Sequence, residues 1–267
     1  MRHISARDNP FYRQLQGLGM GRSPKGTHQV LIEGTHLCQA WFDRFGAPLV
    51  AVFDQALLDA QRQPPRWLDL PQDHCISLDS RLVRGLSQVI HGPGIFFVVE
   101  PPRPTLPERI DQACIWLDRI QDPGNLGTLL RTAAAAGIRQ AYLSAGCATA
   151  WSPKVLRSGQ GAHFALEIHE HIDLYTLTPR LAIALAVTTL DDASELFSTD
   201  LRAPCAWVFG NEGQGVDERL QALAAVRVWI PQAEAVESLN VAAAAAICLF
   251  EQRRQQNVSL APQSPNP

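Results

Sequence analysis

The feature that most limits the fold is an alternation of short apolar runs with helical patterns in the second half of the 267-residue chain. ACIWLD, QAYLSA, FALEIH, RLAIALAV, CAWVFG and RVWI read as strands. NLGTLLRTAAAAG, SPKVLRSGQGA, VDERLQALA and SLNVAAAAAICLFEQRR read as helices. Strands this apolar, separated by helices, imply a parallel sheet covered on both faces. A shorter alternation, from HQVLIEG to GIFFVVE, predicts a small α/β domain over residues 27–100. PPRPTLP at 101–107 places four prolines in seven residues, which neither a helix nor a central strand accepts, so it reads as a linker. Residues 1–26 read as a basic arm, 108–255 as the larger domain, and 256–267 as a disordered tail.

Composition excludes several classes. Hydrophobic residues make up 46%, enough for a real core. No apolar run reaches membrane-spanning length, and MRHISARDNP lacks the apolar centre of a signal peptide, so a cytoplasmic protein is expected. The six cysteines are scattered without a C-x-x-C pair, which argues against zinc and fits a reducing compartment. His169 and His171 flank Glu170, a cluster read as a solvated turn; no metal site is predicted. Net charge is −3 but unevenly spread. Residues 1–30 carry five basic side chains against one acidic, and residues 101–161 seven against four. Residues 162–249 carry four against twelve. A polyanion would approach the first two segments.

In parallel α/β sheets, ligands bind beyond the carboxyl ends of the strands. The segments there are RIQDPGNLGTLLR, NEGQGV and PQAEAVESLN, each a polar loop leading into a helix. The first offers helix N-terminal amides, with Asn125 as a cap and Arg131 further along. Taken singly, Ser238 and Asn240 read as helix caps, Arg131 as a surface arginine and Glu212 as a ligand of backbone amides. GNEGQG matches neither a Walker loop nor a dinucleotide turn.

Together, DPGNLGTLLRTA, FGNEGQGV and IPQAEAVESLNVAAAAAI resemble, in order and spacing, the three motifs of the SpoU (TrmH-like) branch of the SPOUT RNA methyltransferases. The likeness covers residues 114–254, roughly half the chain, and WSPKVLRSGQGA resembles the segment between the first two motifs. Residues 27–100 are similar, less strongly, to the L30e-like substrate-binding domain that precedes it in many members; QVLIEGTHLCQAW is the matching piece. The resemblance implies an α/β fold with a mostly parallel sheet and a deep trefoil knot. It implies methyl transfer from S-adenosylmethionine to a ribose 2′-hydroxyl of ribosomal or transfer RNA, ribosomal being favoured, by a homodimer. By the same resemblance Gly210, Ile230 and Leu239 hold the cofactor, and Asn125, Arg131, Glu212, Ser238 and Asn240 form the polar active site. The alanine runs 133–136 and 242–246 fit either a tightly packed core or helices that help form the dimer contact. Two positions depart from the pattern: Glu234 stands where glycine is usual, which bears on cofactor affinity, and Ala242 replaces a frequent serine. The competing reading is a non-catalytic RNA-binding protein or ribosome assembly factor retaining the fold. A Rossmann-type nucleotide enzyme is disfavoured by the missing G-x-G-x-x-G turn.

Overall fold

The structure is a computed structural model that describes residues 1–60, 70–87, 92–233 and 238–257. The chain divides into two compact units, the first comprising Met1–Pro102 and Trp151–Phe164, the second Arg103–Ala150 and everything from Ala165 onward. The change of unit at Pro102 falls within the proline-rich stretch.

The first unit opens with β1 (Arg2–Ile4), α1 (Pro10–Gly19), β2 (Val30–Glu33), α2 (Thr35–Phe45) and β3 (Val50–Asp54). It continues with α3 (Gln55–Asp59), β4 (Cys75–Leu78), α4 (Ser80–Leu86) and β5 (Ile95–Val99). The sheet order is β1-β4-β3-β5-β2, with β1, β4 and β3 parallel and β5 antiparallel to both its neighbours. Residues 1–26 are therefore no separate arm. Their apolar positions dictate this: Ile4, Tyr12, Leu15 and Leu18 recur on one side and are buried in the core with Val52, Leu82 and Phe96. Asn9 caps α1 by accepting from the Phe11 and Tyr12 amides, and Pro10 sits at the first turn, where a missing N–H costs nothing.

The second unit begins with β6 (Cys114–Leu117), α5 (Pro123–Ala135) and β7 (Gln140–Ser144). The chain then lends α6 (Pro153–Gly159) to the first unit. There Phe164 lies edge-on to Trp41 and Phe45, with ring centroids 5.7 and 6.1 Å away, and near Trp151 at 6.3 Å. The second unit resumes with β8 (Glu167–Ile172), α7 (Leu174–Leu177), β9 (Ala184–Thr188) and β10 (Ser194–Glu195). It closes with β11 (Cys205–Phe209), α8 (Glu218–Leu223), β12 (Val226–Trp229) and α9 (Val241–Asn257). Seven strands form one sheet in the order β10-β12-β9-β11-β6-β7-β8, and every pairing is parallel. The central strands β6 and β11 are buried at every residue, as their unbroken apolar sequences require.

Among the described residues Trp116 and Trp207 are the largest fully buried side chains, and truncating either to alanine would cost about 3–5 kcal/mol. The Trp207 indole N–H donates to Gln252 Oε1 at 2.8 Å, and the Gln252 amide donates to the Ala203 carbonyl at 2.8 Å. This buried pair ties α9 to the sheet. The His169–His171 segment is part of β8 and not a solvated turn; His169 is buried and stacks on Tyr142, with centroids 4.7 Å apart. Among the described residues no cluster of ligands could hold a metal ion, and no helix is long and apolar enough to cross a membrane.

Candidate active site

Three loops meet at the carboxyl edge of the second unit's sheet, following β6, β11 and β12. The first is fixed by Asp122, which caps α5 by accepting from the Asn125 amide at 2.8 Å. The second is a closed turn. Asn211 and Gly215 exchange backbone hydrogen bonds of 3.0 and 2.9 Å, and Asn211 Oδ1 accepts from the Gly213 and Gln214 amides. Its Nδ2 reaches across to the Arg119 carbonyl at 2.9 Å and so joins the second loop to the first. Gly210 is buried where this turn doubles back, and a Cβ there would collide with the Gly215 and Val216 backbone. The third loop ends at Asn240, whose Oδ1 accepts from the Ala242 amide at 2.9 Å and the Ala243 amide at 3.3 Å, capping α9.

One hydrogen-bonded relay crosses all three loops. Asn240 Nδ2 donates to Asn125 Oδ1 at 2.9 Å, and Asn125 Nδ2 donates to Glu212 Oε1 at 3.1 Å. Glu212 also accepts from the Asp122 amide at 3.2 Å and the Gln121 amide at 3.3 Å. Amide orientation usually has to be inferred from the surroundings, and here both ends fix it. The helix amides demand an oxygen from Asn240, so its nitrogen faces Asn125. The carboxylate demands a nitrogen from Asn125, so its oxygen faces Asn240. Desolvation works to raise the Glu212 pKa, but the donors from Asn125 and from the loop amides outweigh it and hold the carboxyl below the ordinary glutamate range. Glu212 is thus an anchored acceptor and a poor base.

Beside this relay lies an open cleft of about 230 Å³, lined by Thr188, Thr189, Leu190, Trp229, Ile230, Gln232, Ser238, Leu239 and Ala244. Its apolar walls suit an adenine ring, and its threonine and serine hydroxyls and glutamine amide suit ribose and amino-acid groups. S-adenosylmethionine therefore fits the residues present. Ile230, Ser238 and Leu239 line this cleft. Gly210 does not, and serves instead the loop that carries Glu212. Glu234, the departure noted in the sequence, lies outside the described residues.

Arg131 is apart from the relay. It is exposed on α5 and makes no hydrogen bond or ion pair to the described residues. Six residues at about 100° each place it roughly 240° around the helix from Asn125. α5 packs against α9, so Ala133, Ala242 and Ala245 are buried within the chain, whereas Ala243 and Phe250 remain exposed.

Sequence reasoning missed a hub behind the site. Asp118 is 5% exposed. It accepts from the Asp217 amide at 2.9 Å, the Arg119 guanidinium at 3.0 Å and the Ser144 hydroxyl at 3.2 Å. Ser144 in turn accepts from the Arg119 amide at 2.8 Å. Arg119 has φ of 57°, a left-handed conformation these bonds hold in place. A lone aspartate at a strand end carries no signal of such a role.

An all-parallel sheet with a cofactor-sized cleft and a fixed amide–carboxylate relay at its carboxyl edge has the build of an α/β enzyme. The chain matches the SpoU rRNA Methylase family over residues 112–250 and belongs to it. It is 34% identical to an uncharacterized tRNA/rRNA methyltransferase of Synechocystis sp., over 95% of this chain and 94% of that one. It is 28% identical to the 23S rRNA (guanosine(2553)-2'-O)-methyltransferase RlmP of Bacillus subtilis, over 95% of this chain and 100% of that one. The SpoU methyltransferase AviRb from Streptomyces viridochromogenes, in complex with AdoMet, aligns with a TM-score of 0.78 at 25% identity, over 94% of this chain and 100% of that one. The AdoMet-bound rRNA methyltransferase from Sinorhizobium meliloti shares the fold with a TM-score of 0.82 at 23% identity, over 95% and 97% of the two chains. Family membership makes this chain an RNA methyltransferase that uses S-adenosylmethionine.

Proposed function

We propose that the chain methylates a ribose 2′-hydroxyl of ribosomal RNA in the cytoplasm, working as a homodimer. The relay from Asn240 through Asn125 to Glu212, set beside the cleft at Ile230, Ser238 and Leu239, is the observation that carries this reading. When bound, S-adenosylmethionine supplies a methyl group on a sulfonium, a leaving group that needs no protonation. The chain's own task is to align the hydroxyl for attack on the methyl carbon and to stabilise its oxygen while the hydroxyl proton leaves to solvent water. Each relay asparagine spends one N–H on its neighbour and keeps a second, which can bind oxygen bearing developing negative charge. Ser238 adds a hydroxyl at the cleft for the ribose. Glu212 keeps the relay in register. Arginine presents a planar fork of N–H donors, so the role of Arg131 is to bind an RNA phosphate and stabilise the developing alkoxide.

A homodimer accounts for the position of Arg131. An isologous contact over the exposed side of α5 and α9, including Ala243 and Phe250, would leave each Arg131 beside a second copy of the fold. The chain beyond β12 would complete the trefoil knot, and the first unit, with its basic N-terminal segment, would serve as the L30e-like RNA-holding domain.

Calorimetry with S-adenosylmethionine and methyl incorporation into ribosomal RNA test the reading together. We expect Arg131→Ala and Arg131→Lys both to abolish methyl transfer while cofactor affinity stays within about twofold of the parent, since a point charge does not replace a planar fork. Retained turnover in Arg131→Ala would refute the assigned role. Cofactor binding without transfer to any RNA would favour the non-catalytic reading.

A further inference from the structure

A second cavity, of about 230 Å³, lies wholly within the first unit. Its walls are aliphatic: Leu31 of β2, Leu37 of α2, Leu86 of α4, and Pro153 and Leu156 of α6. Gly19, at the end of α1, fits against Leu86 and Leu31, where a Cβ would already be in van der Waals contact at 3.5 and 3.8 Å. Glu33, His36, Arg157 and Gln160 also line it. Glu33 is half-buried, and Ser87 donates its hydroxyl to Glu33 Oε1, so the carboxylate is held in place. Arg157, His36 and Lys154 are exposed.

We infer that this cavity takes an unpaired guanine of the RNA, a second point of recognition that rests on the RNA-methyltransferase reading given above. Flat apolar walls suit a base pulled out of its stack. The carboxylate selects which base. Guanine presents two adjacent donors, N1–H and the N2 amino group, to a group that only accepts. Adenine offers an acceptor at N1, and uracil offers acceptors flanking one N–H, so both set lone pairs against the carboxylate. A carboxylate has about four acceptor positions and can serve a base while keeping its protein partners. The exposed Arg157 guanidinium suits a flanking phosphate, which positions the strand without reading it. A half-buried carboxylate with an exposed guanidinium on the same cavity matches a nucleotide and fits poorly with an apolar peptide.

The test uses the full chain and short single-stranded RNAs carrying one central guanosine, inosine or 1-methylguanosine. Inosine lacks the N2 donor and 1-methylguanosine lacks the N1 donor. Each is expected to bind about tenfold more weakly than the guanosine strand. Glu33→Gln should erase this discrimination. Arg157→Ala should weaken all three strands alike by several-fold and leave the ratios intact. Thermal melts confirm that both variants are folded, and Arg157→Ala keeps the test decisive should Glu33→Gln disturb the Ser87 contact. Equal affinity of the parent for the three strands would overturn the proposal, as would discrimination unchanged in Glu33→Gln. Competition by millimolar GTP separates the sources: strands that stay bound support an RNA base, and displacement would assign the cavity to a free guanine nucleotide and overturn the RNA assignment. S-adenosylmethionine binding, measured on the same samples, is expected to be unchanged in both variants. A parent that discriminates guanosine but transfers no methyl group would sink the enzymatic reading and leave the pocket standing.

Discussion

Asn240 does two jobs through two different atoms, and a single-atom change separates them. Its oxygen caps α9 and its nitrogen drives the relay. Asn240→Ala loses both. The cap is worth about 1 kcal/mol and an exposed hydrogen bond about another 1, so the second unit should lose about 2 kcal/mol, or roughly 4–8 °C in Tm. Asn240→Asp keeps the cap, because aspartate serves that position as well as asparagine and its charge suits a helix N-terminus. Its Tm should fall by only about 2–4 °C, since the relay bond is lost and the cap is not. It nevertheless brings an acceptor against Asn125 Oδ1, where the parent has a donor at 2.9 Å. Flipping Asn125 to meet it would turn an oxygen toward Glu212, which accepts at 3.1 Å in the parent, so one clash survives in either orientation. Losing at least one hydrogen bond's worth of alignment, about 1.4 kcal/mol, lowers methyl transfer tenfold or more. Thermal melts and single-turnover methyl incorporation on the two variants read stability and chemistry apart. If Asn240→Asp turned over within twofold of the parent, the direction of the relay would have no part in the reaction.

Gly210→Ala should destabilise the second unit by about 1–3 kcal/mol, because the added Cβ meets backbone and no flexible side chain can yield; an unchanged urea midpoint would contradict the close packing of that turn. The same variant should bind S-adenosylmethionine more weakly by calorimetry, since the turn carries Glu212. Glu212 has a depressed pKa, so the stability from its hydrogen bonds is complete above the ordinary glutamate value of about 4.3 and is lost as pH falls through the lower folded value. Thermal melts between about pH 6 and pH 3 should therefore show a steeper loss for the parent than for Glu212→Gln; parallel curves would mean that the carboxylate gains nothing from its donors.

Much of the second unit was legible because its signals are one-dimensional. Unbroken apolar runs such as CAWVF and CIWL admit only strands buried on both faces, and three polar loops after such strands share one edge. Asn125, Glu212 and Asn240 were found through the resemblance of those loops to known motifs, and the structure brings them within hydrogen-bonding reach. What spacing cannot carry is direction. Arg131 stands six residues from Asn125 yet leaves the helix on another side, and Gly210 supports its turn and does not line the cleft. Beyond its neighbour Arg119, the partners of Asp118 lie far along the chain, Ser144 26 residues on and Asp217 99 residues on. The strand at Arg2–Ile4 is three residues long and too short to show a period. The aromatic contacts of Trp41 with Phe164 join residues more than a hundred positions apart, so nothing local announced that α6 belongs to the first unit.

That borrowed segment sets a timetable for the newborn chain. The first unit's sheet is fully synthesised by Pro102, but the stretch that finishes its packing, Trp151–Phe164, follows far behind. At about 5–20 residues per second, a ribosome needs roughly 3–12 s to cover that gap. For those seconds Trp41 and Phe45 lack their aromatic partner Phe164, on a polypeptide whose β6, α5 and β7 are themselves still emerging. Cutting the gene at the proline-rich stretch would make that wait permanent: the excised fragment would keep its strands and present a bare aromatic face, prone to aggregate or to recruit chaperones. A workable half-protein would need the α6 stretch grafted back by a linker.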